Sequence, residues 1–346
     1  MGDIRSIIRQ SPPVDVTKPY DPSTLNDKTI LITGGANGLG AHMVRHWASL
    51  GAHVVIGDVA DKAGEELVAS LRASYPSLTF AFQHCDVTDW DAQVSLFETA
   101  VRASPSGAID IVVPNAGIIL PAQSSIFENP ALVDGKIPKP NTATLDVNIT
   151  GVTYTTHLAL YHLPRNPRPD RCLLLIGSVA SLLPLAGQCQ YAMSKHAVLG
   201  LFRSIRATSF LKGIRVNMIA PFYTAQTHMM PPVAEAIFLA GSAGAATVED
   251  VVDAATRLAA DEAVIGRSLV VGPRMKTRGV DGVEQDEGMV VADDEGDGQG
   301  RGVWECHAAD YDLVDSFVKR YVFLLNARAK GWLGMLGDIW GIFRRK

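Results

Sequence analysis

Apolar positions along this chain fall into short solid runs, separated by longer stretches in which they recur every three or four residues. The runs are TILIT (29–33), HVVIGD (53–58), 78–84, 109–113, CLLLIG (172–177) and GRSLVVG (266–272). Aliphatic and β-branched residues without polar alternation predict strands covered on both faces, as in a parallel sheet. Between them, 42–50, 62–73, 89–103 and 187–201 carry the three-to-four-residue spacing of amphipathic helices. Strict alternation of the two patterns predicts an α/β fold: one doubly wound domain, its parallel sheet sandwiched by helices, with a ligand crevice at the carboxyl ends of the strands.

The pattern has edges. Residues 1–27 hold Pro12, Pro13, Pro19 and Pro22 among polar neighbours and predict an irregular surface arm. The α/β domain spans 28–272, and 273–346 is read as an acidic loop followed by a helical extension. Within that extension 281–302 is acidic and glycine-rich, which suggests a mobile loop, and 310–326 regains helical spacing. Trp332, Leu333, Met335, Leu336, Ile339, Trp340, Ile342 and Phe343 then form an apolar stretch ahead of Arg344, Arg345 and Lys346. Such a segment is suited to covering the substrate pocket or packing on a partner subunit, and less to a weak hold on a membrane surface.

Composition removes several functions. With 346 residues, 47% of them hydrophobic, the chain can bury a large core; a formal net charge of -5 gives no field for a nucleic-acid backbone. Cys85, Cys172, Cys189 and Cys306 have no metal-ligand spacing and read as reduced cytoplasmic thiols, so no metal site is expected. His42 and His46, four apart, lack a third ligand and read as helix surface. No apolar run is long enough for a signal peptide or a spanning helix. The sequon at Asn148 is therefore expected to stay unmodified.

The chemistry begins where the first strand ends. Gly34, Gly38 and Gly40 lie between a strand and a helix, where glycine lets the backbone turn tightly and approach a pyrophosphate at the helix N-terminus. Asp58 closes the second strand, 18 residues past Gly40. A carboxylate there can accept hydrogen bonds from adenosine ribose hydroxyls and would repel a 2′-phosphate, so the cofactor expected is NAD; uncharged Asn37 favours the same choice. Capping of the next helix is the plain alternative for Asp58, as it is for Asp86 after the third strand. Tyr191 and Lys195, four apart, share a helix face, and an ammonium beside a phenol favours the phenolate that proton transfer from an alcohol requires.

Taken in order, TGGANGLG (33–40), Asp86, NAG (115–117), Asn148, GS (177–178), YAMSK (191–195) and 217–221 resemble the signature of the short-chain dehydrogenase/reductase family, over about residues 28–272. The resemblance implies a seven-stranded parallel Rossmann sheet in the order 3-2-1-4-5-6-7 and a catalytic tetrad of Asn148, Ser178, Tyr191 and Lys195. Tyr191 would be the acid/base, Ser178 would steady charge on the reacting oxygen, Lys195 would lower the tyrosine pKa and hold the nicotinamide ribose, and Asn148 would kink a helix and hold a relay water. It also implies cofactor contacts at Thr33, Gly34, Asn37, Gly38, Leu39, Gly40, Asp58, Asp86, Val87, Asn115, Ala116, Gly117, Tyr191, Lys195, Pro221 and Thr224, and a homodimer or homotetramer built through helices around 140–163 and 189–211. Within the family the chain looks most like NAD-dependent alcohol dehydrogenases, including those acting on hydroxyprostaglandins, and fungal enzymes of specialised metabolism. It departs where the family usually has ProGly: here Phe222 follows Pro221, and either Thr224 or Thr227 would meet the carboxamide.

Three stretches, 118–122, 182–188 and 222–245, should line the substrate side. Their Leu, Ile, Met, Phe and Tyr content predicts a hydrophobic small-molecule substrate, a bulky secondary alcohol or ketone. Oxidation is favoured because cells keep NAD largely oxidised. Ketone reduction in biosynthesis and a catalytically silent dinucleotide-binding scaffold are the alternatives.

Overall fold

The computed structural model describes residues 9–224, 244–278, 289–291 and 300–306, with Gly331, Trp332, Gly334, Leu336 and Trp340 beyond them. Most of the loop 222–245, including Thr227, and nearly all of the acidic loop and helical extension lie outside the described residues.

Seven parallel strands form the expected sheet. They are β1 (Thr29–Thr33), β2 (His53–Asp58), β3 (Phe80–His84), β4 (Ile111–Pro114), β5 (Arg171–Ile176), β6 (Ile214–Pro221) and β7 (Ser268–Arg278), in the spatial order 3-2-1-4-5-6-7. Residue-by-residue pairing, for example Ile32 with Ile56 and with Val113, stacks the apolar runs into one buried layer. Helices α1 (Gly38–Ser49), α2 (Asp61–Ser74) and α7 (Val248–Ala260) cover one face. On the other lie α3 (Trp90–Ala103), α5 (Val152–His162) and α6 (Cys189–Ile205), and α4 (Pro121–Glu128) packs against α6. Each face is sealed by its own apolar cluster, one around Trp47, Ile56 and Leu258, the other around Phe97, Leu175 and Phe202. Two clusters are what continuous rather than alternating apolar strands require.

The sheet does not stop at residue 272. β7 runs on to Arg278, and β8 (Met289–Val291) and β9 (Arg301–Cys306) pair with it antiparallel, giving nine strands among the described residues. An open β7 edge would present unpaired amides and carbonyls; β9 satisfies them along residues 268–275. Residues 273–278 and 301–306 thus belong to the catalytic sheet and not to a helical extension.

The N-terminal arm is irregular, as its prolines require, yet firmly docked. Ser11 N donates to Ile265 O at 3.0 Å, Val14 N to Glu305 Oε2 at 3.1 Å and Thr24 Oγ1 to Ala260 O at 2.8 Å. Leu25, in the short turn 22–25, is fully buried.

Candidate active site

Between β1 and α1 the chain makes the turn its glycines predict. Gly34 (φ 65°) and Gly38 (φ 52°) occupy the left-handed region. Contact is as demanding as torsion here: a Cβ on Gly34 would lie 2.6 Å from Ala116 Cα, and one on Gly40 2.1 Å from Gly34 O. Asn115 locks the packing, its Nδ2 donating to Gly34 O at 2.7 Å and Thr33 O at 3.1 Å, while Ala116 N donates to Thr33 Oγ1 at 3.2 Å. Thr33 and Asn115 therefore hold two strand ends together.

The N-terminus of α1 is open. Its N-cap, Asn37, makes no side-chain cap bond, and no acid lies in the first turn, so its amides and the positive end of the helix dipole are available to an anion. Leu39 is partly buried against the core. Asp58 reaches back to this turn: Oδ2 accepts from Ala36 N at 2.9 Å and Oδ1 from Ala60 N at 3.0 Å. It joins the turn to the start of α2, whose N-cap position is Ala60, and each carboxylate oxygen keeps acceptor capacity for a ribose hydroxyl. Beside it Val59 is exposed, and 34–40 bring no basic side chain to the turn. A tight glycine cradle, an uncapped helix start and an acid at the second strand end fit the pyrophosphate and ribose of a dinucleotide.

Asp86 lies exposed past β3, its Oδ1 accepting from Thr88 N (2.9 Å) and Thr88 Oγ1 (2.8 Å). It is not the cap of α3; Asp89 is, accepting from Asp91 N and Ala92 N. Val87 is buried against Gly151, where a Cβ would come within 2.6 Å of its Cγ2.

Asn148 lies in a π-helical segment, Asp146–Gly151, that leads into α5. Its side chain clamps Ile118 and reaches α6: Ile118 N donates to Oδ1 at 2.8 Å, and Nδ2 donates to Ile118 O at 2.8 Å and Ser194 Oγ at 3.0 Å. The wide turn is where a helix can offer such contacts, because its own ladder is interrupted. With Asn148 1% exposed, the sequon has no room for a glycan.

Ser178, Tyr191 and Lys195 are all buried at the end of β5 and on α6. Ser178 Oγ donates to Pro221 O at 3.4 Å and accepts from Ala180 N at 3.1 Å. Lys195 Nζ donates to Ile176 O at 3.1 Å and stands 5.7 Å from the Tyr191 ring centre. A Cβ on Gly117 would come within 3.4 Å of Asn148 Oδ1 and 3.7 Å of Lys195 Nζ, so Gly117 keeps the space between them open. The structure thus gathers Asn148, Ser178, Tyr191, Lys195 and Gly117 around one buried spot. His196, next in sequence, faces away and is exposed.

Burial dominates the electrostatics of the pair. Burial pushes the Tyr191 phenol up from its ordinary value, with a hydrogen bond to Ser178 acting the other way. Burial likewise pulls the Lys195 ammonium down to about 8. Desolvation is the largest influence on the tyrosine.

Two serines that sequence reasoning passed over support the site. Ser181 Oγ accepts from Ser178 N at 3.2 Å and donates to Lys195 O at 2.8 Å; Ser194 Oγ donates to Tyr191 O at 2.7 Å. Ser194 lies inside YAMSK, and Ser181 three residues after Ser178, the spacing of a capping box. Thr224 is buried, paired through its backbone with Ala246, and its hydroxyl donates to Phe222 O at 3.1 Å.

The strand order and the glycine turn that follows β1 define an α/β protein with the fold of the dinucleotide-binding class. The short chain dehydrogenase family model matches residues 28–237, and the chain belongs to the short-chain dehydrogenase/reductase family. It is 33% identical over 268 residues to 5′-hydroxyaverantin dehydrogenase of Dothistroma septosporum, covering 73% of this chain and 87% of that one. With 5′-hydroxyaverantin dehydrogenase stcG of Emericella nidulans it shares 34% over 282 residues, covering 75% and 88%. Levodione reductase, a solved structure, superposes with a TM-score of 0.60 at 22% identity over 72% of this chain and 97% of that one, which speaks to fold alone. The protein is an oxidoreductase of the kind that acts on alcohol and ketone groups. Among the described residues no helix is long and apolar enough to cross a membrane.

Proposed function

We propose that this protein oxidises a bulky, apolar secondary alcohol to its ketone with NAD as acceptor, in specialised metabolism. The observation that carries the reading is the buried meeting of Ser178, Tyr191 and Lys195 beneath Gly117 and Asn148, at the strand ends that also carry the glycine turn and Asp58. When bound, the nicotinamide supplies the hydride acceptor or donor. Tyr191 takes the alcohol proton and returns it in the reverse direction; Ser178 donates a hydrogen bond to the reacting oxygen. Lys195 holds the nicotinamide ribose hydroxyls, and its charge favours the phenolate against the opposing effect of burial. Asn148, clamped on Ile118, fixes the floor on which a relay water can rest.

Support for NAD over NADP comes from Asp58, whose carboxylate faces the turn with no basic neighbour there. Support for an apolar substrate comes from Ile118, from Leu183 beyond Ser178 and from Tyr223, and the fungal relatives are named as dehydrogenases of a hydroxylated compound. Incubation with NAD and a panel of hydrophobic secondary alcohols, followed by NADH absorbance, should reveal turnover, and NADP should serve about tenfold or more less well. Tyr191→Phe should retain NADH binding within a factor of about three and lose at least about a hundredfold in kcat. Equal activity with NADP would remove the role given to Asp58, and turnover by the phenylalanine variant would remove that of Tyr191.

A further inference from the structure

Between Ser181, whose hydroxyl is tied to Lys195 O, and the start of α6, the chain reads LLPLAGQ (182–188), apolar except for Gln188. Gln188 is the N-cap of α6 yet makes no side-chain cap bond, and its Oε1 is buried with no hydrogen-bond partner among the described residues. Its backbone is fixed: Gln188 N donates to Leu185 O at 3.2 Å, and Gln188 O accepts from Ala192 N at 2.9 Å. The carboxamide therefore starts one turn ahead of Tyr191. Positions 188, 191 and 195, three and four apart, share the helix face that carries the acid/base pair. Gln190 also has a buried oxygen without a partner among the described residues, but it lies off that face and its Nε2 is committed to Asn141 O at 2.8 Å.

A buried amide oxygen left unpaired carries a cost that a ligand's donor removes on binding. Set in an otherwise apolar wall, one such group orients the ligand. Turning the carboxamide over would present its NH2 instead, and a hydroxyl complements either end because it both donates and accepts. Three residues of helix rise about 4.5 Å, the separation of two oxygens on neighbouring or next-but-one carbons. We propose, on the alcohol-oxidising reading of this site, that Gln188 sets substrate specificity by binding a second hydroxyl beside the reacting one. The preferred substrate then carries a 1,2- or 1,3-diol unit on an apolar body, and only the secondary alcohol that meets Tyr191 is oxidised.

The test compares matched alcohols with NAD, followed by NADH absorbance: 1-phenylethanol against 1-phenylethane-1,2-diol, and 1-phenylpropan-1-ol against 1-phenylpropane-1,3-diol. In at least one pair the diol should have the higher kcat/KM by about tenfold or more. Gln188→Leu, and Gln188→Met, which keeps the length of the side chain, should lower that ratio about tenfold or more. The intrinsic reactivities of the alcohols cancel in this comparison. Without ligand, both variants should melt no lower than wild type, because an apolar group replaces an unpaired buried amide. Equal kcat/KM within both pairs, or a diol ratio that the variants leave unchanged, would overturn the proposal and leave alcohol oxidation standing. So would a lower melting temperature in both variants, which would assign Gln188 to the scaffold. Absence of turnover on these four alcohols and on the wider panel would remove both readings.

Discussion

Lys195 is asked to be charged where charge is disfavoured. Burial takes its pKa from 10.5 to about 8, so below pH 8 the folded protein carries a constant penalty for keeping the ammonium. Between about pH 8 and 10.5 the unfolded chain still holds a proton that the folded one has released, so stability rises with pH there and levels off above. Lys195→Met should therefore raise the melting temperature of the ligand-free protein at pH 7, by a gain of at most about 3 kcal/mol that the lost bond to Ile176 O reduces. The gain should vanish by about pH 10.5, and turnover should drop at least about a hundredfold. Thermal melts across that pH range check the sign; a variant less stable at pH 7 would mean that the ammonium is well satisfied where it lies. Sequence spacing was enough to pair Tyr191 with Lys195, but not to show that both lie in a place where water is scarce.

At the scale of elements, the glycine turn tolerates no side chain at residue 40, since a Cβ would lie 2.1 Å from Gly34 O and 2.8 Å from Asn115 Nδ2. Those atoms belong to the suture between β1 and β4, so Gly40→Ala should prise the turn open. NADH affinity, read by fluorescence titration, should fall about tenfold or more, with a smaller loss of stability. Unchanged affinity would place the cofactor elsewhere. The boundaries of β2 and, to within one residue, of the helix read over 89–103 were legible from local pattern, because their neighbours in sequence determine them; its cap was not, since Asp89 and not Asp86 holds that place. β9 was not: RGVWEC has neither a solid apolar run nor clean alternation, and it becomes a strand only by meeting β7, about thirty residues earlier in the chain. For the same reason the last strand was read six residues short, its polar continuation to Arg278 being stabilised by partners that arrive later.

Across the whole molecule, the sheet's two ends are treated differently. The carboxyl ends carry the chemistry, whereas the amino ends of β1, β5 and β6 are held by a buried ion cluster. Lys28 Nζ lies 2.6 Å from Asp170 Oδ2, and Arg215 meets both carboxylate oxygens at 2.5 and 3.1 Å. Burial alone would push the Asp170 carboxyl up; Arg215 and Lys28 together outweigh it and hold it below the usual value. A depressed carboxylate contributes stability that is present above its unfolded pKa, near 3.9, and lost as pH falls through the folded value. Asp170→Asn leaves the buried Arg215 without its acid and Lys28 with only the exposed Glu262, 3.4 Å away, and should cost about 3–5 kcal/mol at pH 7, with the gap to wild type closing only below about pH 4. Denaturant melts at pH 7, 5 and 3 read this directly, and a gap independent of pH would point to packing. None of it was legible beforehand, because three residues scattered over nearly 190 positions show their partnership only when the strands align.

The pairing of Val14 with Glu305 has a bearing on synthesis. These residues are 291 positions apart, and Glu305 also lies 3.3 Å from the buried guanidinium of Arg267. On the ribosome the arm emerges 291 residues before its anchor, so the sheet must wait, one edge bare, until residue 306 has cleared the exit tunnel. A chain ended at residue 272 would retain every residue of the candidate tetrad, yet lose the strand that closes the edge and the carboxylate that steadies Arg267. The catalytic unit is therefore larger than its motifs suggest, and its edge cannot close before residue 306 is in place.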